Sequence, residues 1–398
     1  MQSPYVCWKN KMAEIESLLS GLLDHLNEVP EPRQSAKIEY PLDEILFLTI
    51  SAVVSTCSEW DEIVDFGEDK LDWLRRYRPY LNGIPSHDTL NRVMSLIDPM
   101  AFERMFVTWV NRHIKLADGT LISIDGKKLR GSATKLEQQT AHADGGKSAV
   151  HLVEAWCSDL SLCLSIRQVP EKTNEIKAIP LILNDLELDG CVVSIDAMGC
   201  QKEIVKEIVS KNADYVIGLK GNQATLLAGV EAAFEAYTPE CRDEHYAKDT
   251  SVDHGRIEER ICRILNAERL PVWVPRADWA GLNTIIQIQS ERTIMANGTV
   301  TQDTRYYISS LHLSASRIAA YVRGHWGIEN QLHYMLDVFW GEDGSRKRIA
   351  CAAANFGTVL RIAHNLVKTH PEKISIKRKR KKADRSDHYR EQILRIQI

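Results

Sequence analysis

The sequence predicts an α/β protein: a mixed sheet flanked by helices, with an N-terminal helical domain and a β-rich insertion. Three observations carry that prediction. Apolar residues recur at helical spacing as far as about Ala117. From Leu121 the pattern changes to short runs of β-branched residues that alternate with helical stretches. Two of those runs close on the same string, Ser123-Ile124-Asp125 and Ser194-Ile195-Asp196, which sets an acid at the exit of each of two buried strands.

The elements follow in order. In the leader, Ile15, Leu18, Leu19 and Leu22 have helical spacing, and further helices are predicted over Leu42–Thr56, Trp60–Trp73, Ser86–Ile97 and Pro99–Ile114. Ser86 is a good N-cap, and Thr89 and Arg92 lie on the face its helix exposes. That stretch reads as half of a helix–turn–helix or, equally, as part of a plain bundle. Strands are predicted over Leu121–Asp125, Ala149–Trp156 and Leu160–Val169, forming an antiparallel meander. A helix over Asn174–Leu186 follows, capped by Thr173 or Asn174, and Pro180 implies a kink or a late start. Strand Cys191–Asp196, helix Gln201–Ser210 and strand Tyr215–Leu219 then make a unit that favours parallel pairing.

Residues 239–311 break this rhythm. Strands are predicted over Arg256–Leu265, Thr284–Arg292 and Arg305–Ser309, with Asn297-Gly298 as a turn. Helices resume at Ser314, run with interruptions at Gly324 and Gly327 to about Trp340, and end with Arg346–Lys368 before Pro371. The predicted organisation is a helical domain over 1–117, with DNA binding an open role for it. The first part of a catalytic domain covers 118–238, a β-rich insertion 239–311, the rest of the catalytic domain 312–370, and a basic tail 371–398.

Composition bounds the function. A chain of 398 residues is too long for one ordinary core. Its formal net charge of -4 does not by itself mark a nucleic-acid binder. The charge is uneven, however, and Lys377-Arg378-Lys379-Arg380-Lys381-Lys382 is an unbroken basic run. The 9 cysteines are scattered without a Cys-x-x-Cys pair, which predicts reduced thiols in a cytosol rather than a disulfide frame or structural zinc. Lys9, Lys11 and Glu14 interrupt any signal-peptide pattern, and the uncharged stretch Ile45–Ser58 is too short to span a bilayer. The expectation is a cytoplasmic protein with no membrane partner.

Two carboxylates at neighbouring strand ends repel, and one would take a proton; a divalent cation removes the conflict. A metal site for phosphoryl transfer wants a third acid. Glu329 adjoins an apolar stripe of Ile328, Leu332, Met335 or Leu336, and Phe339, so it falls at the edge of a core. His325, Glu329 and His333 share one helical face at steps of four. The histidines suit zinc, DNA contact or positioning of Glu329, and oxygen ligands favour magnesium over zinc. Glu342, Asp343 and Glu175 compete as third acids; Glu175 is better explained as a first-turn acid. Trp326 reads as core packing.

Five stretches carry a resemblance. They are Ile124-Asp125-Gly126-Lys127-Lys128-Leu129-Arg130-Gly131, Asp196-Ala197-Met198-Gly199-Cys200-Gln201, Leu219-Lys220-Gly221-Asn222-Gln223, His254-Gly255-Arg256-Ile257-Glu258 and His325-Trp326-Gly327-Ile328-Glu329-Asn330. Together and in this order they resemble the H-repeat-associated insertion-sequence transposases of the DDE superfamily, over nearly the whole chain. The resemblance implies a ribonuclease-H-like core, Asp125, Asp196 and Glu329 as the DDE acids, and two magnesium ions, for which Mn²⁺ can substitute. It implies metal-dependent cleavage and strand transfer on element terminal repeats and target DNA, by a homodimer or larger assembly. Related transposases carry a Tyr…Arg…Glu…Lys signature around the last acid; here His325 stands four before Glu329, and Leu336 where the lysine falls.

Phosphate contacts must then come from elsewhere. Candidates are Lys127, Arg130, Lys220, Asn222, His254, Arg256 and His325, and Lys377, Arg378, Lys379 and Arg380 in the tail, since DNA backbones are held largely by lysine and arginine. His254, Arg256 and Glu258 share one strand face, which is either a DNA-facing edge or the seat of a cross-strand ion pair. Two alternatives stand beside the transposase: an inactive relic that only binds DNA, and a structure-specific nuclease of the same fold that cuts without joining.

Overall fold

The computed structural model describes residues 19–112, 114–133, 149–169, 175–236, 245–253 and 255–396. Among them the strands form one mixed sheet, in the order β3-β2-β1-β4-β5-β9-β8-β7-β6. The strands are β1 (Leu121–Lys128), β2 (His151–Cys157), β3 (Leu162–Val169), β4 (Val192–Ile195), β5 (Asp214–Leu219), β6 (Tyr246–Asp253), β7 (Arg256–Asn266), β8 (Thr284–Ile294) and β9 (Val300–Ser309). The fold is therefore the α/β class that the sequence predicts, a mixed sheet flanked by helices with a helical N-terminal region. β2 and β3 pair antiparallel, and β1, β4 and β5 run parallel. Helix Lys202–Ser210 supplies the crossover from β4 to β5 that parallel neighbours require.

Contacts within the chain group it into two units. One comprises Met1–Lys115, Gly126–Ala178 and Glu329–Ile398. Its helices include α1 (Leu22–Leu26), α2 (Leu42–Val54), α3 (Trp60–Asp69), α4 (Leu71–Leu74), α5 (His87–Leu96) and α6 (Pro99–Asn111). The predicted helix Trp60–Trp73 is thus two, parted at Lys70. Ser86 caps α5 as its sequence predicts, its hydroxyl accepting from the Thr89 amide at 3.3 Å. The last long helix, Ala352–Lys368, is buried almost throughout and packs on α2, α5, α6 and β3. Asn365 on that helix ties it to β3, accepting from the Cys163 amide at 3.0 Å and donating to the Cys163 carbonyl at 2.9 Å.

The other unit comprises Leu116–Asp125 and Ile179–Ile328. Its core is built from one face of the sheet, Leu121, Val192, Val216, Ile264 and Ile286, closed by Ile318 and Val322 of helix Ala315–His325. The β-rich insertion continues the sheet through β9, which pairs antiparallel with β5. Two elements lie where no element is predicted. Ala224–Ala236 is a helix of good helix formers, and β6 is a strand whose Lys248, Asp249 and Asp253 suit an exposed edge. No helix among the described residues is long and apolar enough to cross a membrane.

Candidate active site

The repeated string is a register. Leu121, Ile122, Ser123 and Ile124 of β1 pair in parallel with Val192, Val193, Ser194 and Ile195 of β4. Asp125, inside β1, and Asp196, just past the end of β4, each follow the paired Ile124 and Ile195, so they stand on neighbouring strands at corresponding positions. Strands of a sheet lie about 4.8 Å apart, which brings two carboxylates within reach of one cation. The serines fix the face. The Ser194 hydroxyl donates to Ser123 Oγ at 3.1 Å, so Ser123 and Ser194 point the same way. Alternation along a strand carries Asp125 and Lys127 to the face of Ser123, and Asp196 to the face of Ser194.

Helix Ala315–His325 covers that face. Its Gly324 lies so near β1 that a methyl there would come 2.5 Å from Leu121 Cδ2, and the leucine would have to shift to admit it. His325 then stands with Nδ1 2.9 Å from Ser194 Oγ. The histidine is thus placed against β4, two residues before Asp196, a positioning contact that the sequence left open.

Asp196 is exposed and caps a short 3₁₀ turn, Ala197–Gly199. Its Oδ1 accepts from the Met198 amide at 2.9 Å and the Gly199 amide at 3.4 Å, which sets the carboxylate's direction; the second oxygen takes no part in the cap. The exit of β5 braces the same turn. Asn222 donates to the Ala197 carbonyl at 2.8 Å and Gln223 to the Cys200 carbonyl at 2.8 Å. Gln223 was not singled out from sequence; its place after Lys-Gly-Asn was the available signal. Lys220, at the head of that loop, is exposed.

Glu329 is exposed on a π-helical turn, Ile328–His333, that leads into helix Tyr334–Trp340. Ile328, Leu332, Leu336 and Trp340 are its buried stripe, close to the one predicted. π turns are rare and gather at functional sites. The competing acids are engaged elsewhere: Glu175 with His151, Glu342 with Arg361 and Lys127, and Asp343 with Arg130 at 3.6 Å. His333 turns Nε2 to Glu154 Oε2 at 2.9 Å. Among the described residues, no three His, Cys, Asp or Glu side chains form a ready metal cluster. The hard carboxylate oxygens of Asp125 on β1 and Asp196 after β4 nevertheless fit magnesium or manganese in donor type.

Several proposed phosphate contacts have other work. Lys127 is 7% exposed; its ammonium donates to the His333 carbonyl at 3.0 Å and pairs with Asp337 at 2.5 Å and Glu342 at 3.1 Å. Burial, and then the charge of Arg361, lower its pKa, yet Asp337 opposes them. A lysine so enclosed is not offered to a DNA backbone. The basic tail is two helices, Ile376–Arg385 and Asp387–Leu394. Lys379 is buried, donating to the carbonyls of Val367 at 3.1 Å and His370 at 2.7 Å. Arg380 is buried too, donating to the Phe339 and Val53 carbonyls and stacking 4.1 Å over the Trp340 ring. Both are structural cations. Lys377 and Arg378 stay exposed, with Lys381, Lys382 and Arg385.

Arg130 and Arg256 are exposed as well. Glu258 pairs with Arg260 at 2.6 Å and, across the strands, with Arg292 at 3.2 Å. His254 lies outside the described residues. Trp326, assigned to the core from sequence, is 39% exposed with the Arg305 guanidinium 5.2 Å over its ring.

The chain is similar to known proteins along most of its length. The family model described as transposase DDE domain matches residues 112–366, and the one described as DDE_Tnp_1-associated matches residues 23–110. A protein of Escherichia coli O157:H7 named putative transposase YncI is 38% identical over 94% of this chain and 95% of its own length. In E. coli K12, the H repeat-associated putative transposase YhhI is 36% identical over 94% of this chain and 98% of its own. The inactive transposase YbfQ of the same strain is 47% identical, over 19% of this chain and 92% of its own length. Among solved structures, a piggyBac transposase synaptic complex with hairpin DNA covers 99% of this chain and 81% of its own, at 12% identity and a TM-score of 0.42.

Proposed function

The chain belongs to the transposase DDE-domain family, and on that footing we propose that it cuts DNA at the ends of a mobile element and joins them to a target. Asp125, Asp196 and Glu329 are the residues that would hold the metal. The observation that supports this reading is the β1–β4 register, in which Asp125 and Asp196 each follow the paired Ile124 and Ile195 of neighbouring parallel strands.

Each part of the chain has a task in that reaction. Asp125 and Asp196 supply hard oxygen donors from backbone positions that sheet pairing holds fixed. The Asp196 cap and the braces from Asn222 and Gln223 keep that carboxylate from swinging away. Glu329 adds a third carboxylate from an exposed helical turn. Divalent cations bound by such acids activate water or a 3′-hydroxyl and stabilise the leaving oxygen in an in-line displacement. Lys220, Arg130 and Arg256 are exposed cations suited to backbone phosphates, and the exposed face of helix Ile376–Arg385 adds Lys377 and Arg378.

The test is incubation of purified protein with terminal-repeat DNA and Mg²⁺. Nicks that expose a 3′-hydroxyl, followed by joined product, are expected, and Asp196→Asn should abolish both. Cleavage without joining would make the protein a nuclease. DNA binding that ignores metal and survives Asp125→Asn, with no cleavage, would make it a relic.

A further inference from the structure

A buried ionic cluster stands behind the segment that carries Glu329. Lys127 reaches from β1 to the His333 carbonyl and to Asp337, four residues apart on one helical face. From β2, Glu154 holds His333 through Oε2 and accepts from Arg361 Nε through Oε1 at 2.6 Å. Arg361 also pairs with Glu342, which returns to Lys127 at 3.1 Å. The ring of contacts closes on itself, and Glu154 and Arg361 are wholly buried.

Folding stability does not account for such a cluster. Apolar residues of similar volume dock a helix as well or better, because burying charges is costly. What charges add is register: an apolar face tolerates sliding by a fraction of a turn, whereas a lysine that must meet one carbonyl and one carboxylate does not. Lys127 shares its strand face with Asp125, two residues earlier. The carbonyl it grips belongs to the last residue of the π turn, and Glu329 stands four residues before it.

We propose that Lys127 is a positioning residue, pinning the helix that follows Glu329 to the last residues of β1 and so fixing where the Glu329 carboxylate stands. The proposal rests on the reading that Asp125, Asp196 and Glu329 hold the metal. It replaces the phosphate contact suggested for Lys127 from sequence.

Mn²⁺ binding to the full chain, without DNA, tests it by calorimetry or by the electron paramagnetic signal of free Mn²⁺. Lys127→Met should weaken binding about tenfold or more, the usual effect of losing a group that orients a metal ligand. Its far-UV circular dichroism should stay native, and Lys127→Arg should recover part of the affinity. Lys127→Met combined with Glu329→Gln should bind no more weakly than Glu329→Gln alone, since both act on one ligand. Native affinity in Lys127→Met, or losses that simply add, would overturn the proposal. If Lys127→Met does not fold, Asp337→Asn should show a smaller loss of the same kind, and unchanged affinity there overturns the proposal equally. Unchanged Mn²⁺ binding in both Asp196→Asn and Glu329→Gln would instead sink the metal-site reading beneath it.

Discussion

Replacing Arg361 by methionine should cost about 3–5 kcal/mol of folding stability, and the loss should shrink in acid. The guanidinium is buried, and so are the two carboxylates it serves. Its Nε lies 2.6 Å from Glu154 Oε1 and its Nη2 3.2 Å from Glu342 Oε2. Methionine fills much of the volume but leaves both acids without their shared cation. Removing one partner of a buried ion set is far worse than removing the set, because the stranded charge keeps its desolvation penalty. A total stability of roughly 5–15 kcal/mol would fall by about a fifth or more.

The pH dependence follows from Glu154. Burial alone would raise its carboxyl, but Arg361 and then His333 outweigh burial and hold it well below the usual carboxylate range. Its folded pKa lies under the unfolded one, so the contribution is present above the ordinary value of 4.5 and is lost as pH falls through the lower, folded value. In the variant the sign reverses: a buried acid without its cation takes a proton on folding, so stability rises as pH falls. Urea unfolding from about pH 8 to about pH 2 reads both curves. A loss under about 1 kcal/mol, or one independent of pH, would refute the reasoning. Adding Glu154→Gln and Glu342→Gln to the variant should restore most of the stability.

Two further outcomes are expected. His364 is buried between the Trp156 and Trp340 rings, and burial first, then Lys368 and Arg361, push its pKa from 6.5 down to about 3. It folds neutral, so stability should drop as pH falls below the ordinary value, by at most roughly 4–5 kcal/mol at about 1.4 kcal/mol per unit. His364→Leu should flatten that acid limb, and a curve parallel to the parent's would count against it. On helix Ile376–Arg385, changing Lys377, Arg378, Lys381 and Arg385 to glutamine should weaken DNA binding and lower the log–log salt slope by up to about 3–4. An unchanged slope would remove this face from the DNA contact.

Much of this was legible in the sequence because local chemistry decides it. The strands of the first sheet half are β-branched runs with little alternative, and the repeated Ser-Ile-Asp told of two paired strands, although β1 runs on to Lys128 rather than ending at Asp125. Ser86 announced its helix because a hydroxyl before an apolar run satisfies an amide that would otherwise be bare. Other features depended on partners far along the chain. A lysine two residues past an acid looks like a phosphate contact until Asp337 and Glu342, more than two hundred positions away, close around it. The basic run looked like a tail because its charge hid a helical stripe: Ile376, Lys379, Arg380 and Ala383 are its buried positions, two of them cations capped by backbone carbonyls. The edge strand β6 has too few apolar residues to announce itself and forms by pairing along β7.

The β1–β4 pairing also bears on how such chains diverge. A parallel ladder repeats with the backbone, so the separation of Asp125 and Asp196 is inherited from hydrogen bonding rather than from the 70 residues that lie between them. One residue inserted inside either strand would throw its serine and aspartate onto the opposite side. The same insertion in the connection would leave the two acids where they are. Lineages of this protein are therefore free to lengthen or trim the loops of the intervening segment, outside its own strands and the buried Lys127 and Glu154, and drift in length should stop abruptly at the two short strings.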